Sequence, residues 1–160
     1  MNFFRHFYAK IATTALSRQQ REVHVTHIFT YGSLMFDQVW QHIVGSTYES
    51  KAHELTGFER QSLRHADYPA AIPQPHSSIT GRLYMNVVDK DIQRLDCFEG
   101  SEYLRKHVAV EIEEELNEVA IYLLKPSHYH LLAGKPWNEQ AFSKEAVQPF
   151  INNFSGFKRL

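Results

Sequence analysis

With Cys97 as its only cysteine, the 160-residue sequence cannot form a disulfide within the chain, which excludes a small disulfide scaffold. That usage fits a reducing compartment, and a cytoplasmic location is expected. Charge excess is also missing: 17 Lys and Arg stand against 18 Asp and Glu, mixed along most of the chain. Neither a nucleic-acid groove nor a membrane-binding face is indicated. The apolar runs are short, so no membrane-spanning helix is expected. Paired cysteines and an HExxH motif are absent, and the ten histidines are scattered. The closest-spaced, His24 with His27 and His128 with His130, fall short of the three or four ligands that zinc takes. No metal site is expected. No internal repeat or low-complexity linker divides the chain, which reads as one domain large enough to bury a core.

One segment departs from this balance. Residues 1–21 carry Arg5, Lys10, Arg18 and Arg21 and no acid. Phe4, Phe7, Tyr8, Ile11 and Ala15 recur at helical spacing. The segment reads as a helix packed on the domain, an extension used for a partner, or a targeting-like segment. The apolar stretch around Ile11 is short and diluted by Thr, which argues against a secretory signal. The expected organisation is a basic amphipathic extension over residues 1–24 and a domain over 25–160.

Within the domain, "HIFTY" is β-branched and aromatic and predicts a strand. "DQVWQHIVG" predicts a short helix capped by Asp37 and closed by Gly45. Residues 51–65 read as extended around a turn at Thr56-Gly57. "YPAAIPQPHSS", with three prolines in seven positions, predicts a surface loop. "SITGRLYMNV" alternates as a strand. "DKDIQRLDCFEG" predicts a helix capped by Asp89, with Ile92, Leu95 and Phe98 on adjacent faces and Gly100 ending it. "RKHVAVEIE" and "EVAIYLL" form a hairpin with Val108, Val110 and Ile112 inward. "NEQAFSKEAVQPFINNF" predicts a C-terminal helix interrupted near Pro149. Clustered strands and short inserted helices favour an α+β fold, with a strongly curved sheet or small barrel, over a doubly wound sheet.

Three positions could bear chemistry. Ser33 follows a strand in Tyr-Gly-Ser-Leu-Met, but the nucleophile elbow G-x-S-x-G needs a second Gly that is missing. Cys97 sits in an apolar helical pattern, where a free Cys packs as a small hydrophobe. Glu99 stands in the last turn of the predicted helix, where the dipole disfavours negative charge. Its pKa is expected to rise, more so if it is buried beside Phe98, and such a carboxyl can both accept and donate a proton near neutrality. The plain alternatives are a solvated surface Glu and an ordinary strand-to-helix turn. The turn at Tyr31-Gly32-Ser33-Leu34 could also expose backbone N–H groups to an anion.

Four stretches together resemble the γ-glutamylcyclotransferase-like family, of the branch that includes γ-glutamylamine cyclotransferases and the plant avirulence-induced-gene relatives. "FTYGSLM" is similar to the family's substrate loop and "DYPAAIP" to its Tyr-Pro-Ala loop. "GRLYMNV" resembles its Gly-x-Leu-Tyr strand, and "LDCFEGSEYLRKHVAV" its helix-Glu-Gly segment followed by Tyr-x-Arg. They occur in the family's order between about residues 27 and 125. The resemblance implies a small mixed β-barrel with peripheral short helices. It also implies a cofactor-independent reaction on a small γ-glutamyl substrate, in which the α-amine attacks its own δ-carbonyl to give 5-oxoproline and a released amine. Glu99 would be the general base and acid. Tyr31, Gly32, Ser33 and Leu34 would hold the substrate, while Tyr103 and Arg105 line or brace the pocket. A second enzyme on the same fold and a non-catalytic small-molecule binding module are the rival readings. Neither the leaving group nor the oligomeric state is implied.

The charge asymmetry of residues 1–21 predicts that they are dispensable for the core. A chain beginning near Val25 is expected to stay soluble and melt cooperatively. Aggregation, or melting without a transition, would place the segment in the core.

Overall fold

The computed structural model describes residues 23–154, so the predicted helical pattern over residues 4–15 lies outside the described residues. The apolar "VTHIFT" forms strand β1 (Val25–Thr30), with its last three residues buried. It lies inside a six-stranded sheet of order β4-β5-β1-β3-β2-β6. β1 runs antiparallel to β3 (Pro69–Val88) and parallel to β5 (Glu115–Leu124). On one side β3 pairs with β2 (Ser50–Leu63), which ends the sheet through β6 (Leu132–Pro136). On the other side β4 (Tyr103–Ile112) pairs antiparallel with β5. Helices α1 (Asp37–Ile43), α2 (Asp89–Glu99), α3 (Glu139–Ala141) and α4 (Val147–Asn153) complete a mixed α+β fold.

The expected barrel is corrected: the sheet is open. Among the described residues, edge strands β4 and β6 have one strand partner each, and β6 meets β2 only through pairs at Gln61 and Leu63. The proline-rich surface loop is corrected as well. Pro69–Pro73 pairs with the end of β2, and Ser78 resumes the ladder opposite Thr56. Pro69 opens its strand, where a missing N–H is tolerated, and Pro73 and Pro75 flank or occupy the break in the ladder. Pairing with β2 on both sides of the break thus continues a strand that composition alone would end.

Both expected Asp caps shift by one residue. Phe36 and Val88 occupy the N-cap positions of α1 and α2 without a side-chain cap, and Asp37 and Asp89 fall inside the first turn. There they complement the positive helix end, and Asp37 also pairs with Arg82 at 3.5 Å. The C-terminal interruption lies ahead of Pro149 rather than at it. A π-turn over Phe142–Ala146 separates α3 from α4. Pro149 has no N–H to return to Glu145, and the wider turn takes up the mismatch. The hairpin turn between β4 and β5 uses Glu113 and Glu114, both at positive φ (53° and 68°). This is the twist that two-residue hairpins favour.

Two aromatic layers fix α1 and α2 on the sheet. Trp40 of α1 stacks on Tyr84 of β3 at 3.6 Å with the rings 8° apart, and Trp40 Nε1 donates to Ser46 O. The Asp91 carboxylate, buried in the first turn of α2, accepts from Tyr48 Oη at 2.6 Å. β1 and β3 are drawn close at Gly81, where a Cβ would stand 2.2 Å from Thr30 O and 2.6 Å from the Phe29 ring.

Gly81→Ala therefore forces backbone against backbone. It is expected to destabilise the fold by about 1–3 kcal/mol, read as a lower melting temperature by calorimetry. An unchanged melt would mean that the strands separate there without cost.

Candidate active site

Where β1 runs out, the chain turns through Tyr31 and Gly32 into a single 3-10 turn, Ser33–Met35. Met35 N–H donates to Gly32 O and Phe36 N–H to Ser33 O. The N–H groups that open such a turn, on Ser33 and Leu34, have no acceptor within it. Tyr31 is pinned on both sides: its hydroxyl donates to Tyr122 O at 2.6 Å and accepts from Ala71 N–H at 3.2 Å. Arg60 donates to Tyr31 O at 2.7 Å and lies over the Trp137 ring at 5.0 Å, with Glu139 also in reach at 3.4 Å. Tyr84 Oη holds Leu34 O at 3.1 Å.

Gly32 serves packing here. Its φ of −129° is open to any residue, but a Cβ would meet Pro69 Cδ at 2.9 Å and Cγ at 3.0 Å. The Tyr-Gly-Ser-Leu turn and the Tyr-Pro-Ala segment are thus one wall, pressed together at Gly32 and Pro69.

That wall faces a cavity of about 450 Å³. Tyr31, Gly32, Ser33 and Leu34 line it from the end of β1, and His65 to Pro69 from the β2–β3 connection. Phe98, Glu99, Glu102 and Tyr103 enter from the end of α2 and the start of β4. Tyr122 comes from β5, and Pro149, Phe150, Asn153 and Phe154 from α4 and the residue after it. Six of the seven residues singled out from the sequence meet here. Arg105 is not among the lining residues. It pairs with Asp96 at 3.0 Å, and Asp96 accepts from Tyr122 Oη at 2.7 Å, so Arg105 braces the wall from behind. Cys97, expected to be packed, is exposed: the stripe that buries Ile92 and Leu95 reaches the cavity at Phe98 and leaves Cys97 outside it.

Glu99 is the last residue of α2. Gly100 then turns the chain at φ 72° and ψ −164°, with Gly100 N–H on Asp96 O. Glu99 is half-buried in the cavity wall, and desolvation by the surrounding protein, with the nearby Asp96 charge second, pushes its pKa from 4.5 up to about 8. The direction matches the one expected from its place at a helix end. The Glu99 charge in turn reaches the phenols of Tyr31, Tyr68, Tyr103 and Tyr122, all held above the ordinary tyrosine value, first by burial. These phenols stay protonated donors, and Tyr103 Oη donates to Pro69 O at 3.2 Å. Glu99 thus stands in the cavity wall among phenolic hydroxyls that stay protonated.

Sequence reasoning missed Tyr122, Phe150 and Phe154. Tyr122 was visible only as one position in an alternating strand, and the two phenylalanines as a helical stripe without a destination. Which cavity a stripe faces depends on tertiary placement.

The raised value of Glu99 links stability to pH. Since the folded chain holds this proton more tightly than the unfolded one, the contribution is complete below about pH 4.5 and is lost as pH rises through about 8. Chemical denaturation between those values is expected to show stability falling with pH, and Glu99→Gln is expected to flatten the fall. Equal slopes in both proteins would place the carboxyl in water.

Residues 28–139 match the family model described as "Gamma-glutamyl cyclotransferase, AIG2-like". The chain is 32% identical to AIG2-like protein D of Arabidopsis thaliana over 91 residues, covering 57% of this chain and 60% of that one. It is 30% identical to AIG2-like protein A of the same plant over 130 residues, covering 80% and 78%. A solution structure of an Arabidopsis thaliana protein superposes with a TM-score of 0.61 at 22% identity, covering 82% of this chain and 80% of that one. A structure titled gamma-glutamyl cyclotransferase superposes at 0.53 and 14%, covering 86% and 90%. These two likenesses concern the fold. The model match spans most of the described domain and takes in the turn after β1, the Tyr-Pro segment and Glu99, and by it the chain belongs to the γ-glutamyl cyclotransferase, AIG2-like family.

Proposed function

We propose that this protein is a γ-glutamylcyclotransferase that closes the γ-glutamyl group of an amide into 5-oxoproline and releases the amine. The observation behind the reading is Glu99, a carboxyl with a pKa near 8 in the wall of a cavity that the Tyr31–Leu34 turn also lines. The reaction asks for little more. Its nucleophile, the substrate's α-amine, is tethered to its own electrophile, so ring closure already has the benefit of proximity.

In this reading the Glu99 carboxylate takes a proton from the α-ammonium. The freed amine attacks the δ-carbonyl, forming the ring C–N bond and an oxyanion. The Ser33 and Leu34 N–H groups supply donors for the anionic groups. Collapse of the oxyanion breaks the bond to the leaving nitrogen, which receives one proton from Glu99 and the surplus proton of the attacking nitrogen, so that the ring keeps a single N–H and the amine departs as its ammonium. The residue returns to its starting state, and charge and atoms balance with no added group. A pKa near working pH suits a residue that must act in both directions. Arg105 and Asp96 act through Tyr122 and Glu99 and not on the substrate.

Glu99→Gln keeps the shape of the side chain and removes the proton exchange. Turnover of γ-glutamyl compounds, followed as 5-oxoproline, is expected to fall about a hundred- to ten-thousand-fold, while binding measured separately changes far less. In the unaltered protein kcat/KM is expected to rise with pH up to about 8, as Glu99 ionises, and this limb disappears in the variant. Near-normal turnover by Glu99→Gln would remove Glu99 as the shuttle. Binding of γ-glutamyl compounds without any cyclisation would make the domain a binding module.

A further inference from the structure

The cavity is larger than its chemical end. A volume of about 450 Å³ lies in the range, roughly 300–1,000 Å³, of sites that enclose whole small ligands, so space remains beyond the γ-glutamyl head. Part of the lining is furnished in one manner. Phe150 of α4 sets its ring edge-on to Tyr68 (centroids 6.0 Å apart) and to Phe98 (6.0 Å). Phe98 does the same with Phe154 at 5.6 Å. Phe142, buried at the π-turn, backs Phe150 at 5.8 Å. Tyr68, Phe98, Phe150 and Phe154 all line the cavity.

Acidic side chains predominate in the lining, with exposed His65 as its basic side chain. Besides Glu99 it contains Asp67 and Glu102, and among the described residues no Lys or Arg lines the cavity. Arg60 is turned to Tyr31 O and Glu139, and Arg105 to Asp96. A leaving group with its own carboxylate would enter beside two acids and meet neither Lys nor Arg. An aromatic amine would find rings in edge-on reach and no unfavourable charge.

Resting on the cyclotransferase reading, we infer that the preferred substrates are γ-glutamyl conjugates of aromatic amines lacking a carboxylate, with the ring held by Tyr68, Phe98, Phe150 and Phe154, and with Asp67 and Glu102 excluding γ-glutamyl amino acids. Discrimination comes from the C-terminal helix for the ring and from the loops after β2 and α2 for the charge. The proton exchange at Glu99 is common to all γ-glutamyl compounds.

The test is a matched trio followed as 5-oxoproline: γ-glutamyl-phenethylamide, γ-glutamyl-phenylalanine, which adds only the carboxylate, and γ-glutamyl-methylamide, which lacks the ring. The phenethylamide is expected to exceed the phenylalanine conjugate about tenfold or more in kcat/KM through charge, and the methylamide about tenfold through ring contacts. Phe150→Leu, which keeps apolar volume, is expected to narrow the second ratio. Glu102→Gln is expected to narrow the first. Equal or better turnover of the phenylalanine or methylamide conjugate would overturn the inference while leaving the cyclotransferase reading in place. Absence of 5-oxoproline from all three would overturn both.

Discussion

Keeping a carboxyl away from water in the wall of a largely aromatic cavity is unfavourable, and the site is arranged around that constraint at Glu99. The side chain has no ion-pair partner among the described residues, and its nearest charged influence, Asp96, has its own sign. What keeps Glu99 in place is backbone: the end of α2, fixed inward by Ile92 and Leu95 and stopped by Gly100. Arg105 draws Asp96 to the outer side, and Tyr122 shares that carboxylate with it. The unfavourable charge near Glu99 is thereby held at a defined position.

The same economy of partners shapes the rest of the wall. Strand ends are poor places for precision, since the ladder stops there. Here aromatic donors replace the ladder. Tyr31 ties β1 to β5 and β3, Tyr103 ties β4 to Pro69, Tyr84 ties β3 to the turn after β1, and Trp137 Nε1 donates to Asp67 O at 2.6 Å. Each bond runs from a side chain to a main-chain group of another segment, so each segment bordering the cavity is fixed by a neighbour. Phe150 of α4 and Phe154 just after it add to the cavity wall by packing on Phe98.

Much of this was legible in the residues. β-Branched and aromatic residues marked β1, alternation marked β4 with β5 as its hairpin partner, the 3.6-residue stripe marked α2, and Gly100 placed Glu99 at its end. The Tyr-Gly-Ser-Leu turn stood out because a buried strand stopped there at a Gly. Other features depended on information that a local pattern lacks. Prolines suggested a loop across Tyr68 to Ser78, yet Pro69 and Pro73 occupy positions where the ladder does not require their N–H. A curved sheet and a closed barrel share the same strands and differ only in whether β4 and β6 meet. The packing of Gly32 against Pro69 joins segments far apart in sequence, which the turn alone does not show. Arg105 resembled a pocket residue by spacing, and only its partner, Asp96, shows that it stands behind the wall.

All of these readings converge on the ionisation of one side chain. Carbon-13 NMR of the Glu carboxyls, with Glu99→Gln used to assign the resonance, would follow it directly. The account predicts a midpoint near 8 for Glu99. A midpoint near the ordinary 4.5 would contradict it. A carboxyl of that kind is a solvated surface group, and the proton exchange assigned to this cavity would have no residue to perform it.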